Sequence, residues 1–351
     1  SMPGLKSLHE SPRWMRHCAV LLLAPILCCA ASPAPAATAV RAVPASGYLL
    51  PGGSRTFSIA YVAHVPAQPA GTRRLRIWIP VPRDSAVQSI RDLSFSAPPT
   101  LASEPKYGDQ IAYWEINHPT GPTTLTMRFV CTRREVRTDL TRLALAGDGV
   151  DPTISFATYR RPARLIIVDV RIRRLAAHIT AGRSTTLAKA RAIYGYVLTH
   201  MRYAKSKPGW GTGSTAYACT TGQGNCTDFH SLFISLCRAA GIASEFEIGL
   251  YLPYDRHSTA PVSGYHCWAY FRVPGRTWVP VDCSEGWLEP GRREYFFGDH
   301  TPNRVTLSVG RDLVLAPAQA GPPLNYFIEP YAEADGRPVP ASKTWTFHDL
   351  N

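Results

Sequence analysis

The sequence predicts an α+β protein in which an antiparallel β-sandwich comes first and a core of helices and a hairpin follows. Residues 47–160 hold short strand-forming runs punctuated by Pro and Gly, the pattern of strands joined by turns. Beyond about residue 165 the apolar spacing becomes helical and then switches to a β-hairpin. The chain has 351 residues, which leaves room for two buried cores even after a leader is removed. The division expected is a signal peptide over 1–36, a β-rich region over 37–164 and a core over 165–351, with the C-terminal stretch extending the core sheet.

The leader is read from Lys6, Arg13 and Arg16, which precede an apolar run from Cys18 to Ala31. Ala34, Pro35 and Ala36 then supply small residues for a signal peptidase. The run is interrupted by Pro25, and no later segment reaches the ~18 uninterrupted apolar residues of a membrane span. A secreted or periplasmic protein with no transmembrane segment after leader removal is therefore expected. A lipid anchor at Cys28 or Cys29 lacks the small preceding residue that processing requires. Without 1–36 the chain keeps 35 Lys and Arg against 24 Asp and Glu, a net +11. No basic block interleaves with aromatics, so nucleic acid is not an expected partner. The charge reads as a solvated basic surface, with association with anionic envelope polymers as the functional alternative.

In the β-rich region the clearest strands are 56–62, 75–81 and 125–130, and no repeat of fixed period is evident. Helices are expected at about 170–179 and 186–200, the second with Leu187, Ala190, Tyr194, Val197, Leu198 and Met201 on one face. A long loop, 202–225, then delivers the chain to Cys226. Near the C-terminus, 311–315 and 324–328 are strand-like.

Cys226 follows a Gly-rich stretch, 221–225, and opens a run with apolar residues at 229, 232, 233, 236 and 240 that stops at Gly241. A helix N-terminus offers unpaired N–H groups and the positive end of the macrodipole, which pull a thiol pKa down from ~8.5 toward neutrality. Downstream, 266–273 and 277–282 read as two strands joined by a turn at 274–276. A three-residue turn sets Val273 opposite Thr277 and Trp268 opposite Asp282, with His266 one diagonal step away on the same face. Asp282 is then expected to accept the Nδ1–H of His266, fixing its tautomer and supporting the imidazolium.

His230 lies one turn beyond Cys226 and is the rival base, but i,i+4 geometry points both side chains outward in parallel, which favours His266. Cys219, Cys226, His230 and Cys237 lack the paired spacing of zinc ligands. Of the six cysteines outside the leader, an unpaired Cys226 leaves an odd number, and Cys237 is the expected buried free thiol. Trp268 and Trp278 read as sheet-packing aromatics. Trp210, between Gly209 and Gly211, is harder to place in a core and is a candidate lining of the acyl-binding cleft.

These residues resemble the transglutaminase-like cysteine peptidase superfamily through 224–233, 240–242, 266–269 and 278–282. The resemblance implies a papain-like core with Cys226, His266 and Asp282 as the catalytic triad, and acyl transfer at amide bonds. The flanks look like the bacterial secreted branch, in which a β-rich region precedes the core. Cys283 and Tyr270 depart from the pattern, which has an aliphatic residue and often an acid there.

The expected reaction is attack of the Cys226 thiolate on an amide carbonyl of a protein or peptide substrate. The oxyanion is held by the Cys226 N–H and a side-chain donor such as Gln223, and His266 protonates the leaving amine. Hydrolysis is favoured over transamidation of a glutamine, because the resemblance is to the small bacterial core and no D-x-D-x-D-G calcium motif is evident. No cofactor is expected. The alternatives are a protein-glutamine transamidase and a catalytically silent envelope binding or scaffold protein, against which an intact triad argues.

Overall fold

A computed structural model describes residues 41–152, 156–254 and 257–350. The leader expected over 1–36 lies outside the described residues, all of which fall within one compact unit. Strand Ser54–Val65 shows how the sequence makes this unit. Phe57, Ile59, Tyr61, Ala63 and Val65 are buried while the residues between them are half-buried, so one face of the pleat meets a core. It pairs antiparallel with Thr123–Arg134 on one side and Ser342–Asp349 on the other. His257–Val262 and Gln88–Phe95 complete a five-stranded sheet.

A second antiparallel sheet contains Arg337–Val339, Tyr331–Ala334, Arg74–Val81, Gln110–Asn117 and Thr100–Ser103 in that order. Ile59, Met127 and Phe129 of the first sheet share one buried cluster with Leu75, Ile77 and Trp114 of the second, which is the sandwich the sequence predicts. The same cluster runs on into Phe229, Leu232 and Phe233 of the helix Cys226–Ala239.

That helix packs on a four-stranded antiparallel sheet ordered Thr277–Val281, His266–Val273, Ser244–Tyr251, Arg304–Val309. Two further helices, Val170–Ile179 and Thr186–His200, begin where Asp169 and Thr185 cap free N–H groups with their side chains. Ala190, Tyr194, Val197 and Leu198 are buried as their spacing requires. Among the described residues no helix is long and apolar enough to cross a membrane.

Three expectations are corrected. The C-terminal stretch does not extend the core sheet: only Arg304–Val309 joins it, and the three later strands return to the sandwich. Residues 311–315 and 324–328 are not strands: they meet through an isolated Leu313–Leu324 bridge and through Arg311, which donates to Asn325. Alternating burial shows that a strand has one covered face but not which edge it joins, so pairing across nearly three hundred residues (Phe57 with Asp349) is invisible locally. The loop 202–225 contains a helix, Thr215–Thr221, and a short parallel pairing of Arg202–Tyr203 with Gln223–Gly224. Finally, the hairpin's second strand stops at Val281, and Asp282 caps a helix, Cys283–Leu288.

Gly249 marks the tightest junction in the core sheet. The register of Ser244–Tyr251 against Arg304–Val309 shifts between Ile248 and Gly249, and a Cβ at 249 would overlap the Val305 carbonyl. Gly249→Ala should therefore destabilise the protein by about 1–3 kcal/mol as the strands are forced apart, read as a lower urea midpoint. Gly47→Ala, with open space around the added methyl, should leave the midpoint unchanged.

Candidate active site

The position of Cys226, the expected nucleophile, follows from how its helix begins. Asn225 accepts the Thr227 N–H at 3.0 Å while Asp228 accepts the Asn225 N–H at 3.0 Å, a reciprocal capping box. Cys226 is thereby the first helical residue, where its own N–H has no intrahelical acceptor. The Asp228 carboxylate also accepts the N–H groups of Gly211 at 2.7 Å and Gly213 at 3.0 Å. It occupies the space a Cβ on residue 224 would need, so only glycine fits in the approach to Cys226.

The hairpin register is the expected one: Val273 faces Thr277 and Ala269 faces Val281. It delivers His266 to Asp282, but through the other ring nitrogen from the one expected. His266 Nε2 donates to Asp282 Oδ2 at 2.8 Å, which leaves Nδ1 for the thiol. The expected Nδ1 contact assumed both side chains on paired strands, whereas Asp282 has left its strand to cap the following helix. Asp282 is fully buried. Beyond His266 it accepts from Arg304 Nη1 at 2.8 Å, Glu285 N–H at 3.1 Å and Ser284 Oγ at 3.2 Å. Arg304, also fully buried, lies with its guanidinium carbon 4.9 Å from the Trp268 ring centroid and 5.1 Å from that of Tyr251. Its stacked faces offset some of the desolvation.

The charges of the site reinforce one another. Burial opposes ionisation of Cys226, but hydrogen bonds from Cys267 and His266 and the His266 charge outweigh it and hold the thiol well below its ordinary range. Burial likewise opposes the imidazolium, yet the Asp282 charge and hydrogen bond, with the thiolate, push His266 up to about 10. Asp282 is held well below the carboxylate range against burial by His266 and Arg304. Glu285 Oε1 stands 3.9 Å from His266 Nε2, and burial pushes its carboxyl up to about 7. The combination favours a thiolate–imidazolium pair flanked by a carboxylate.

His230, the rival base, is fully buried and spent on structure. Its Nδ1 lies 2.8 Å from the Cys226 carbonyl oxygen and its Nε2 accepts the Cys283 N–H at 3.0 Å. That pattern fits only a neutral ring with the proton on Nδ1, and burial lowers its pKa accordingly. His230 thus braces the start of the nucleophile helix against the helix capped by Asp282.

Trp210 is 39% exposed on a loop tied down beside the nucleophile. Besides the two Asp228 bonds, Tyr326 Oη donates to Gly211 O at 2.8 Å and Arg311 Nη2 to Gly213 O at 2.9 Å. Gln223 lies in the short strand just before Cys226, and its Nε2 donates to Ser206 Oγ at 3.1 Å. Trp268 and Trp278 are buried. The cysteines at 131, 219, 226, 237, 267 and 283 are free thiols. Sequence reasoning missed Arg304, Arg311 and the bracing role of His230. Only Asp228 carried a local signal, as the third helical residue of a capping box.

Arg304→Met should cost about 3 kcal/mol of stability in denaturant unfolding, the low end for breaking a buried ion pair, because His266 still faces Asp282. Arg304→Lys should recover part of it.

Residues 173–283 match the model of the transglutaminase-like superfamily, a span that contains Cys226, His266 and Asp282. Over 321 residues the chain is 26% identical to an uncharacterized protein of Haemophilus influenzae, covering 81% of this chain and 86% of that one. Its fold is similar to a crystal structure from Cytophaga hutchinsonii described as a candidate cysteine protease, with a TM-score of 0.58 and 15% identity over 85% of this chain and 92% of that one. The family match supports a thiol-dependent hydrolase or acyltransferase. The core of this chain, residues 173–283, is thus similar to the transglutaminase-like superfamily over the stretch that carries Cys226, His266 and Asp282.

Proposed function

We propose that the protein is a cysteine hydrolase that cleaves amide bonds of a protein or peptide in the cell envelope, using Cys226, His266 and Asp282. The observation that carries this reading is the division of labour on His266. Its Nε2 is committed to Asp282 at 2.8 Å, so its Nδ1 is the nitrogen available to the thiol at the helix start. The Cys226 thiolate attacks the carbonyl carbon, and the negative charge moving onto oxygen meets the Cys226 N–H. His266 gives its Nδ1 proton to the departing amine, leaving a thioester. Water then attacks, giving a proton to His266, and the acid departs as the thiol is restored. Gln223 has one Nε2–H committed to Ser206 and a second that can serve as an oxyanion donor. Trp210, exposed on its anchored loop, is the proposed wall for the acyl chain. The leader-like segment 1–36 supports an exported, periplasmic or secreted setting.

Incubating the protein with a glutamine-containing peptide and a primary amine separates outcomes by mass spectrometry. A new acid supports hydrolysis, and an amine adduct makes the protein a transamidase instead. Cys226→Ser should abolish turnover with the fold intact. If neither product forms and Cys226 alkylates no faster than the other thiols, the scaffold reading replaces the enzyme.

The pH dependence follows from the two shifted groups. The active pair forms as pH rises through the depressed Cys226 pKa and is lost as His266 gives up its proton near 10. The alkaline limb of turnover should therefore lie near 10. Asp282→Asn removes the charge that holds the imidazolium, so this limb should move down. The Cys226 alkylation midpoint should move up, and turnover should fall on the order of 10–1000-fold. Unchanged limbs would remove Asp282 from the site.

A further inference from the structure

The residue after His266 is a second thiol, which helps hold Cys226 ionised but forms and breaks no bond in the proposed reaction. Cys267 sits on the strand His266–Val273, fully buried, and that strand is the one on which the helix Cys226–Ala239 packs. Its Sγ lies 3.6 Å from His230 Nδ1, the same atom that lies 2.8 Å from the Cys226 carbonyl oxygen. Its S–H donates a hydrogen bond to the Cys226 sulfur. The two sulfurs are therefore direct neighbours on two elements locked together by His230. The remaining described thiols, Cys131, Cys219, Cys237 and Cys283, have no hydrogen bond to Cys226.

We propose that Cys267 is a resolving cysteine for Cys226: a peroxide oxidises the Cys226 thiol, and Cys267 closes a reversible Cys226–Cys267 disulfide that switches the enzyme off. The inference rests on the reading of Cys226 as the activated nucleophile. In the first step the thiolate attacks one oxygen of hydrogen peroxide, the O–O bond breaks, and the hydroxide leaving takes a proton to become water. Cys226 is left as the sulfenic acid, oxidised by two electrons. In the second step the Cys267 sulfur attacks the Cys226 sulfur, and the S–O bond breaks. The Cys267 proton, already directed at its neighbour, leaves with the hydroxide as water. An S–S bond of ~2.05 Å needs Cβ atoms about 3.5–4.5 Å apart, so closing it draws the two hydrogen-bonded thiols together. A dithiol reverses it by exchange.

Without such a neighbour, a reactive thiolate continues to the sulfinic acid, which a dithiol does not reduce. Cys267 thus converts damage into a pause. A small apolar residue would fill the same buried site, so the thiol is not needed for packing.

The test needs no substrate. The intact protein is titrated with hydrogen peroxide at neutral pH, free thiols are blocked with N-ethylmaleimide, and peptides are mapped without reductant. The expected result is a linked Cys226–Cys267 peptide pair that accumulates before any sulfinic acid at Cys226, with iodoacetamide labelling of Cys226 restored by dithiothreitol. In Cys267→Ala and Cys267→Ser, each checked for the parent circular dichroism spectrum, the same titration should carry Cys226 to sulfinic acid with most of the labelling unrecovered. Sulfinic acid at Cys226 of the parent while Cys267 is blocked by maleimide, or a bridge from Cys226 to a different cysteine, would overturn the proposal while leaving the nucleophile intact. A Cys226 that reacts with neither iodoacetamide nor peroxide would overturn both readings.

Discussion

The buried carboxylate of Asp282 is the constraint on which the site depends. A carboxylate without solvent has to be neutralised and its lone pairs filled. Here the filling partners come from three parts of the chain: the hairpin strand through His266, the edge strand through Arg304, and the helix capped by Asp282 itself through Ser284 and Glu285. Satisfying that one group fixes the ring nitrogen His266 turns to it, and so the nitrogen left for Cys226. The orientation of the His266 ring is a consequence of charge burial.

A second buried carboxylate organises the nucleophile's side of the cleft. Asp228 closes the capping box that sets Cys226 at the first helical position, and it also holds the glycine loop carrying Trp210. Arg311 secures the far side of that loop, donating to Ser231 Oγ and Gly213 O. His230 then joins the two halves, contacting the Cys226 carbonyl and the Cys283 N–H. In each case a polar group that would be costly to bury alone acts as a fastener between elements distant in sequence.

The sandwich and the core are interleaved rather than sequential. The chain builds most of both sandwich sheets first, makes the helices and core sheet, and then returns through Ser342–Asp349 to pair with Ser54–Val65. Even a strand from within the core region, His257–Val262, joins that sandwich sheet. One buried cluster spans both regions, so the sandwich supports the helix-and-sheet core mechanically, and a change such as an added methyl at Gly249 reaches Arg304 through a single strand.

By itself the sequence determined the local features: the helix starting at Cys226, the turn that sets Val273 against Thr277, the helices at Val170–Ile179 and Thr186–His200, and the alternating strands of the sandwich. Each rests on periodicity, capping or turn chemistry among near neighbours, and the hairpin register brings His266 to Asp282, whereas it is packing of the Cys226–Ala239 helix on that strand that adds Cys226. The tertiary structure alone decided which ring nitrogen of His266 meets Asp282, that Arg304 neutralises it, that His230 is a brace, and that the C-terminal strands belong to the sandwich. Those outcomes depend on satisfying buried charges and sheet edges with groups tens to hundreds of residues away. Such pairings leave no periodic trace around Arg304, Arg311 or Ser342–Asp349, because burial is a property of the assembled core rather than of any local segment.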